Sequence, residues 1–239
     1  MRVDAWKDKG RIVHGFGMRH PGREKPSRKD WAGKAVQTER EPFPILSLRQ
    51  VHGDRVVLFD PARETIEQIW QTEGDAIITR AAGFALGVFT ADCLPILLYD
   101  PVRQAIGLVH AGWKGTAQGV IRKAVEKMVE GYGSRSANLL AALGPCIGPC
   151  CYEVDLPVKE AFISGEIPWE GVAIPRGDGK WLLDLQEANL FQMHKAGLLK
   201  ENINILPMCT FCRGETFYSY RNADKTGGRQ LNFIALKKD

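Results

Sequence analysis

The chain has 239 residues, 44% of them hydrophobic and 25% charged, with a formal net charge of +4. That is enough sequence to bury a full core, and the composition is ordinary for a globular protein. No apolar run approaches the roughly 20 residues a membrane span needs, and the first segment, "MRVDAWKDKGRIVHGF", carries charge throughout with no signal-peptide core. The expectation is a cytoplasmic protein with no membrane partner, whose six Cys are thiols or ligands, not a disulfide frame. Residues 1–40 hold eleven Lys/Arg against five Asp/Glu, so residues 41–239 sum to −2. The excess sits in "MRHPGREKPSRKDWAGK", which has the Gly, Pro and charge of a loop. No nucleic-acid motif accompanies it, so a solvated loop or a phosphate-bearing small substrate is expected, and no nucleic-acid partner.

In chain order, short β-type runs appear at "RIVHGF", "ILSLRQV", "RVVLF", "DAIIT", "ALGVFT", "PILLYD", "AIGLVH", "NLLAAL", "INILP" and "LNFIAL". Helical patterns lie between them. "TAQGVIRKAVEKMVEGYG" puts Val120, Ile121, Ala124, Val125 and Met128 on one face, with Gly131 and Gly133 as stop signals. "DLPVKEAFISG" and "DLQEANLFQMHKAGL" read as two further helices. Strands outnumber helices and hairpins mix with helical crossings, so the fold class is α+β, with sheets covered by helices, and residues 1–239 read as one domain.

"PILLYD" and "QAIGLVH" flank Asp100-Pro101-Val102-Arg103, a turn signal. A two-residue loop at Pro101-Val102 would oppose Asp100 to Arg103, Leu97 to Ile106 and Cys93 to His110. Directly opposed Cβ atoms lie about 4.5–5.5 Å apart, which suits zinc bonds of about 2.0–2.3 Å and equally a thiolate–imidazole pair. His52, in "SLRQVHGD", sits where a strand meets a loop. With Cys93 and His110 it completes a Cys/His2 set that suits zinc with an open fourth position. His14 and His20 lie near the basic loop, and His194 on an amphipathic helix.

"RQVHGDRV", "GDAIIT", "TADCLPI", "HAGWKGT", "GPCIGPCCYEV" and "FYSYR" occur in that order. Over roughly residues 11–236 the chain closely resembles the family known as laccase-like polyphenol oxidoreductase, purine nucleoside phosphorylase or peptidoglycan editing factor. The resemblance implies that His52, Cys93 and His110 are zinc ligands, with copper as an alternative metal. It also implies a layered α/β/β/α fold with mixed sheets, resembling the catalytic domain of a cytotoxic necrotizing factor, a cysteine-dependent deamidase. The implied substrates are purine nucleosides and phosphate: phosphorolysis of adenosine, inosine and S-methyl-5'-thioadenosine, and deamination of adenosine.

Coupled copper clusters need many imidazoles, and the chain has only five His, so copper oxidase action is at most a weak side reaction. Deamination needs metal-activated water and a carboxylate as proton carrier, for which Asp75 and Asp92 are the candidates. For phosphate the candidates are Arg19, which falls in a family motif implied to be functional, Lys114 before a helix, and Arg221 closing "FYSYR". Two departures touch this side of the expected site. Met18 and His20-Pro21 replace the family's residues beside Arg19, and the loop before "QVHG" is Lys/Arg-rich. "CTFC" (Cys209, Cys212) and "CIGPCC" (Cys146, Cys150, Cys151) read as buried structural thiols, because no second Cys-x-x-Cys or His accompanies them. Two other chemistries compete: a cysteine hydrolase with Cys93 as nucleophile and His110 as base, and editing of peptidoglycan precursors. Oligomeric state is left open.

Overall fold

The computed structural model describes residues 1–6, 11–19, 26–38, 41–222 and 227–238. His20 and Pro21, and part of the basic loop, lie outside the described residues. The mixed α+β expectation holds, with three sheets and few helices among the described residues. A five-stranded sheet runs in the order Ile12–Gly15, Gln230–Leu236, Ala85–Thr90, Phe43–Leu46, Ala35–Val36. Its pairings are antiparallel except the parallel one between Phe43–Leu46 and Ala85–Thr90. A six-stranded sheet runs Ile203–Ile205, Leu140–Leu143, Leu94–Asp100, Ala105–Ala111, Ala76–Thr79, Val56–Leu58. Its two outer pairings are parallel and its inner ones antiparallel.

Strands buried on both faces read as continuous apolar runs, and "LPILLYD" and "AIGLVHA" are buried at every position. Alternate residues serve two interiors. Leu97, Tyr99, Ile106 and Leu108 face Leu86, Val88, Ile234 and Leu236 across the gap between the large sheets. Ile96, Leu98 and Val109 face the other way, onto Val120, Ile121, Ala124, Val125 and Met128 of helix Val120–Tyr132. On the far side of the five-stranded sheet, Ile45 and Phe89 pack on Trp70 of the short helix Ile66–Gln71.

The hairpin register differs from the expected one. Asp100 pairs with Ala105 and Pro95 with His110, so the loop is Pro101–Gln104. Asp100 does not face Arg103. Its Oδ1 instead accepts from the backbone N–H groups of Val102 and Arg103 at 2.8 and 3.0 Å, an Asx-type closure, and Gln104 turns the chain with φ +49°. The shift is two residues, so face parity survives and Cys93 stays on the side of His110 as a diagonal neighbour. The expected helix from Thr116 is also split, into Trp113–Ala117 and Val120–Tyr132. Gly119 stands between them at φ +80°, which no helix interior accepts. The third sheet, Glu153–Val154, Lys180–Leu183 and Ala173–Gly177, has no counterpart in the sequence expectations. Its strands are short, and one contains Pro175. Among the described residues no helix is long and apolar enough to cross a membrane.

His14 is structural. It is 4% exposed, its Nε2 accepts from Val3 N–H at 2.9 Å, and it lies edge-on to Trp6. Burial first, then the charges of Arg2 and the chain's amino group, lower its pKa to about 4. The unfolded chain therefore takes up a proton near pH 6.5 that the folded protein refuses until about pH 4. Stability is complete above about 6.5 and falls as pH drops through that window. Urea midpoints should report a loss of roughly 2 kcal/mol between pH 7 and pH 5, mostly abolished in His14→Gln.

Candidate metal centre and active-site cleft

Cys93 lies where the chain passes from one large sheet to the other. Strand Ala85–Thr90 ends, Asp92 turns at φ +91°, and Leu94 starts the next strand. His110 is next to last in Ala105–Ala111, just before helix Trp113–Ala117. His52 arrives on a loop held from both flanks. Gln50 replaces a ladder partner, its side chain accepting from Phe89 N–H and donating to Phe89 O, both at 2.9 Å. Arg49 bridges to Glu73 through backbone pairing. Helix Trp113–Ala117 closes on this loop, and a Cβ at Gly115 would stand 2.6 Å from the Gly53 carbonyl. A side chain there would push the loop away. The loop itself bends at His52, with φ +61°.

Asp75 unites the parts. It is 1% exposed. Its Oδ1 accepts from His52 N–H at 2.9 Å and pairs with His110 Nδ1 at 2.8 Å. Its Oδ2 accepts from Gly53 N–H at 2.8 Å and Val51 N–H at 3.2 Å. With Nδ1 on the carboxylate, His110 turns Nε2 toward Cys93 and His52. The ligand atoms of His52, Cys93 and His110 lie within 4.8 Å of one another, and the two imidazoles meet edge to face at 4.9 Å. A thiolate, two imidazoles and a carboxylate behind one of them form a donor set that suits zinc, with a face left for substrate. The fit is good.

The electrostatics agree. Burial pushes the Cys93 thiol up, but the charge of His110 and hydrogen bonds from His110 and His52 bring it down to about 6. Burial likewise opposes charge on His110, and the Cys93 thiolate and Asp75 carboxylate overcome it, raising the imidazole to about 9. For Asp75, burial raises the pKa, but His110 and the backbone N–H groups of Gly53 and Val51 leave it lowered overall. Cys93 and His110 thus favour each other's charged forms, the thiol toward thiolate and the imidazole toward imidazolium.

These residues form the floor of a cleft of about 870 Å³, within the size range of small-molecule sites. Its walls carry the aromatic rings of Phe89, Trp113, Tyr152 and Tyr220, and its rim the guanidinium-bearing Arg28, Arg49, Arg221 and Arg229. Asp92 is the one carboxylate among the described lining residues. That carboxylate is pinned, with Oδ1 accepting from Thr210 Oγ and Oδ2 from Arg221 N–H, both at 2.7 Å. Arg221 stacks on Tyr152 and donates to Glu153 O. Arg229 stacks on Tyr220 and donates to Gly227 O and Gly228 O.

Of the residues expected from sequence, His52, Cys93, His110, Asp92 and Arg221 line this cleft and Asp75 braces it from behind. Arg19 and Lys114 line other depressions. Arg19 donates to Gly214 O and stacks over Tyr218. Lys114 is exposed beside Trp113 on a helix of only five residues. Sequence reading missed Arg28, Arg49 and Arg229. Arg28 stands in the basic stretch and Arg229 follows a Gly-Gly pair, but neither has a local pattern that marks a site.

Residues 27–237 match the family model described as multi-copper polyphenol oxidoreductase laccase. The chain is 34% identical over 164 residues to the purine nucleoside phosphorylase YlmD of Bacillus subtilis, a stretch covering 69% of this chain and 59% of that protein. It therefore spans less than two thirds of that relative's length. It is 36% identical over 195 residues to the purine nucleoside phosphorylase YfiH of Escherichia coli, covering 82% of this chain and 75% of that one. The crystal structure of a hypothetical protein YfiH from Bacillus licheniformis superimposes with a TM-score of 0.84 at 26% identity, over 98% of this chain and 95% of that one. The chain thus belongs to the laccase-like polyphenol oxidoreductase family whose members include proteins named purine nucleoside phosphorylase.

Proposed function

We propose that this protein is a metal-dependent purine nucleoside phosphorylase acting on adenosine, inosine and S-methyl-5'-thioadenosine. The observation that carries the reading is the cleft's polarity among the described lining residues: Arg221 and Arg229 on the rim with Arg28 laid on Trp70 and Arg49 paired with Glu73, one pinned carboxylate, and a His52–Cys93–His110 centre on the floor. An anionic co-substrate fits that charge, and aromatic walls fit a purine. Zinc is the metal the donor set favours, with copper as the alternative. Once bound, the metal supplies Lewis-acid charge at the floor of the cleft.

The chain's own groups then do three things. Arg221 and Arg229 hold phosphate with an oxygen directed at the ribose C1', and Phe89, Trp113, Tyr152 and Tyr220 exclude water around the base. As the phosphate oxygen–C1' bond forms, the C1'–N9 bond breaks and the electron pair leaves with the purine, which takes up the proton that the attacking hydrogen phosphate gives up. Asp75 fixes the His110 tautomer and carries no proton, because all its acceptor positions are occupied. Adenosine deamination, as a second activity, finds among the described lining residues only Asp92 as a carboxylate, and Asp92 would have to release Thr210 or Arg221 to serve. Phosphorolysis is therefore the main reaction. Multi-copper oxidase chemistry lacks its imidazoles, since among the described His only His52 and His110 gather, while His14 and His194 are engaged elsewhere.

One observation favours a second reading. Asp75, His110 and Cys93 form a carboxylate–imidazole–thiolate series, the order of a cysteine hydrolase. The implied likeness to a cysteine-dependent deamidase fits it, and editing of peptidoglycan precursors is one substrate class for it. Stoichiometry separates the two. Inosine with phosphate should yield hypoxanthine and ribose 1-phosphate in equal amounts, and nothing without phosphate. Amide hydrolysis that survives chelation, with no phosphorolysis, would establish the second reading instead.

Arg229→Ala should raise the KM for phosphate about tenfold or more, in line with a lost charge-assisted hydrogen bond, and move the nucleoside KM less. Arg19→Ala is the companion measurement. A tenfold rise there, with none in Arg229→Ala, would place the anion in the neighbouring cleft beside Arg19.

A further inference from the structure

We propose that Cys150, Cys151, Cys209 and Cys212 form a second metal site, a tetrathiolate zinc centre that ties two loops together behind the cleft. The four sulfurs lie within 4.8 Å of one another, with Cys212 Sγ 3.3 Å from Cys151 Sγ and 3.5 Å from Cys150 Sγ. A tetrahedral zinc with bonds of about 2.3 Å sets its sulfurs roughly 3.8 Å apart. The cluster brackets that figure, and its 3.3 and 3.5 Å separations exceed the about 2.05 Å of a disulfide. Among the described residues no carboxylate or imidazole joins the group, and all-sulfur sites select zinc and other thiophilic ions.

The backbone is shaped for the purpose. Cys146 bridges to Cys209 in parallel, and Thr210 N–H donates to Cys146 O at 2.9 Å, so the two loops start side by side. Each then turns tightly. Cys151 and Tyr152 N–H donate back to Gly148 O, and Arg213 N–H donates back to Cys209 O. These turns bring an adjacent Cys pair and a Cys-x-x-Cys pair to one point. Gly148 N–H reaches Cys209 Sγ at 3.3 Å. Cys150 and Cys212 are exposed, so an ion can enter from solvent.

The centre would brace the cleft wall. Thr210, inside the Cys-x-x-Cys turn, holds Asp92, which in turn holds Arg221 N–H, and Tyr152 directly follows Cys151. The site shares no ligand with His52, Cys93 and His110, and the inference stands without the phosphorylase reading.

The test is zinc content of the full chain purified under reducing conditions, for wild type, Cys93→Ala, Cys212→Ser and the double variant. Expected are two zinc ions per chain in wild type, one in each single variant and none in the double. Cobalt substitution of Cys93→Ala should give the charge-transfer absorption of thiolate ligands, absent after Cys212→Ser. If Cys212→Ser does not fold, Cys150→Ser changes the other exposed member and should show the same loss of one ion. Unchanged zinc in Cys212→Ser or Cys150→Ser overturns the proposal. So does a Cys212 disulfide with Cys150 or Cys151 in the freshly isolated, metal-poor protein.

Discussion

Cys93→Ala is expected to lower phosphorolysis of inosine by about a thousandfold and to remove the metal from the His52–Cys93–His110 centre, leaving a folded chain. A Lewis-acid ion contributes several kcal/mol to a transition state, and each ~1.4 kcal/mol is a factor of ten. Loss of one ligand of three leaves two neutral imidazoles, a poor hold on zinc. The fold should survive because Cys93 sits on the cleft floor at the start of a strand, not among the side chains between the sheets. Circular dichroism and elemental analysis on the same preparation check both halves. Full activity in a metal-free Cys93→Ala protein contradicts the account; loss of activity with the metal retained makes Cys93 the nucleophile.

The second large effect is at Asp75. Asp75→Asn keeps the shape but turns an acceptor-only group into one whose N–H2 faces other donors, the backbone N–H of Val51, His52 and Gly53. The His52 loop and the His110 ring lose their common anchor. Metal affinity should fall about 10–100-fold, the usual cost of losing a carboxylate behind a ligating imidazole. The cause is distinguishable. If Asp75 acts through the metal, saturating zinc restores most of the activity. If it carries a proton in the reaction, activity stays low with the metal fully bound. Competition with a chromogenic chelator measures the first quantity and steady-state kinetics at high zinc the second.

The gathering of His52, Cys93 and His110 is legible in the sequence although the hairpin register differs from the one the turn signal predicts. The period-2 alternation of strands forgives a register error of two, so Cys93 and His110 kept a common face even though Asp100 and Gln104 built a longer turn. The long apolar strands and the helix face at Val120–Met128 were legible for the same reason, burial written as periodicity. What escaped was anything assembled from distant pieces. Arg28 and Arg229 enter one cleft from opposite ends of the chain, and no spacing rule connects them. The cysteine cluster escaped because its halves lie about sixty residues apart and one of them is an adjacent pair, outside the usual Cys-x-x-Cys templates. Arg19 and Lys114 stood beside plausible motifs, but their side chains open onto other depressions.

The measurement closest to the central claim is reconstitution of the wild-type protein. Metal is stripped with a chelator under reducing conditions, and zinc is returned in steps while phosphate-dependent release of hypoxanthine from inosine is followed. The account predicts no release from the stripped protein and recovery as zinc binds, with His52→Ala failing to recover at stoichiometric zinc. Undiminished phosphorolysis by the stripped protein would contradict it.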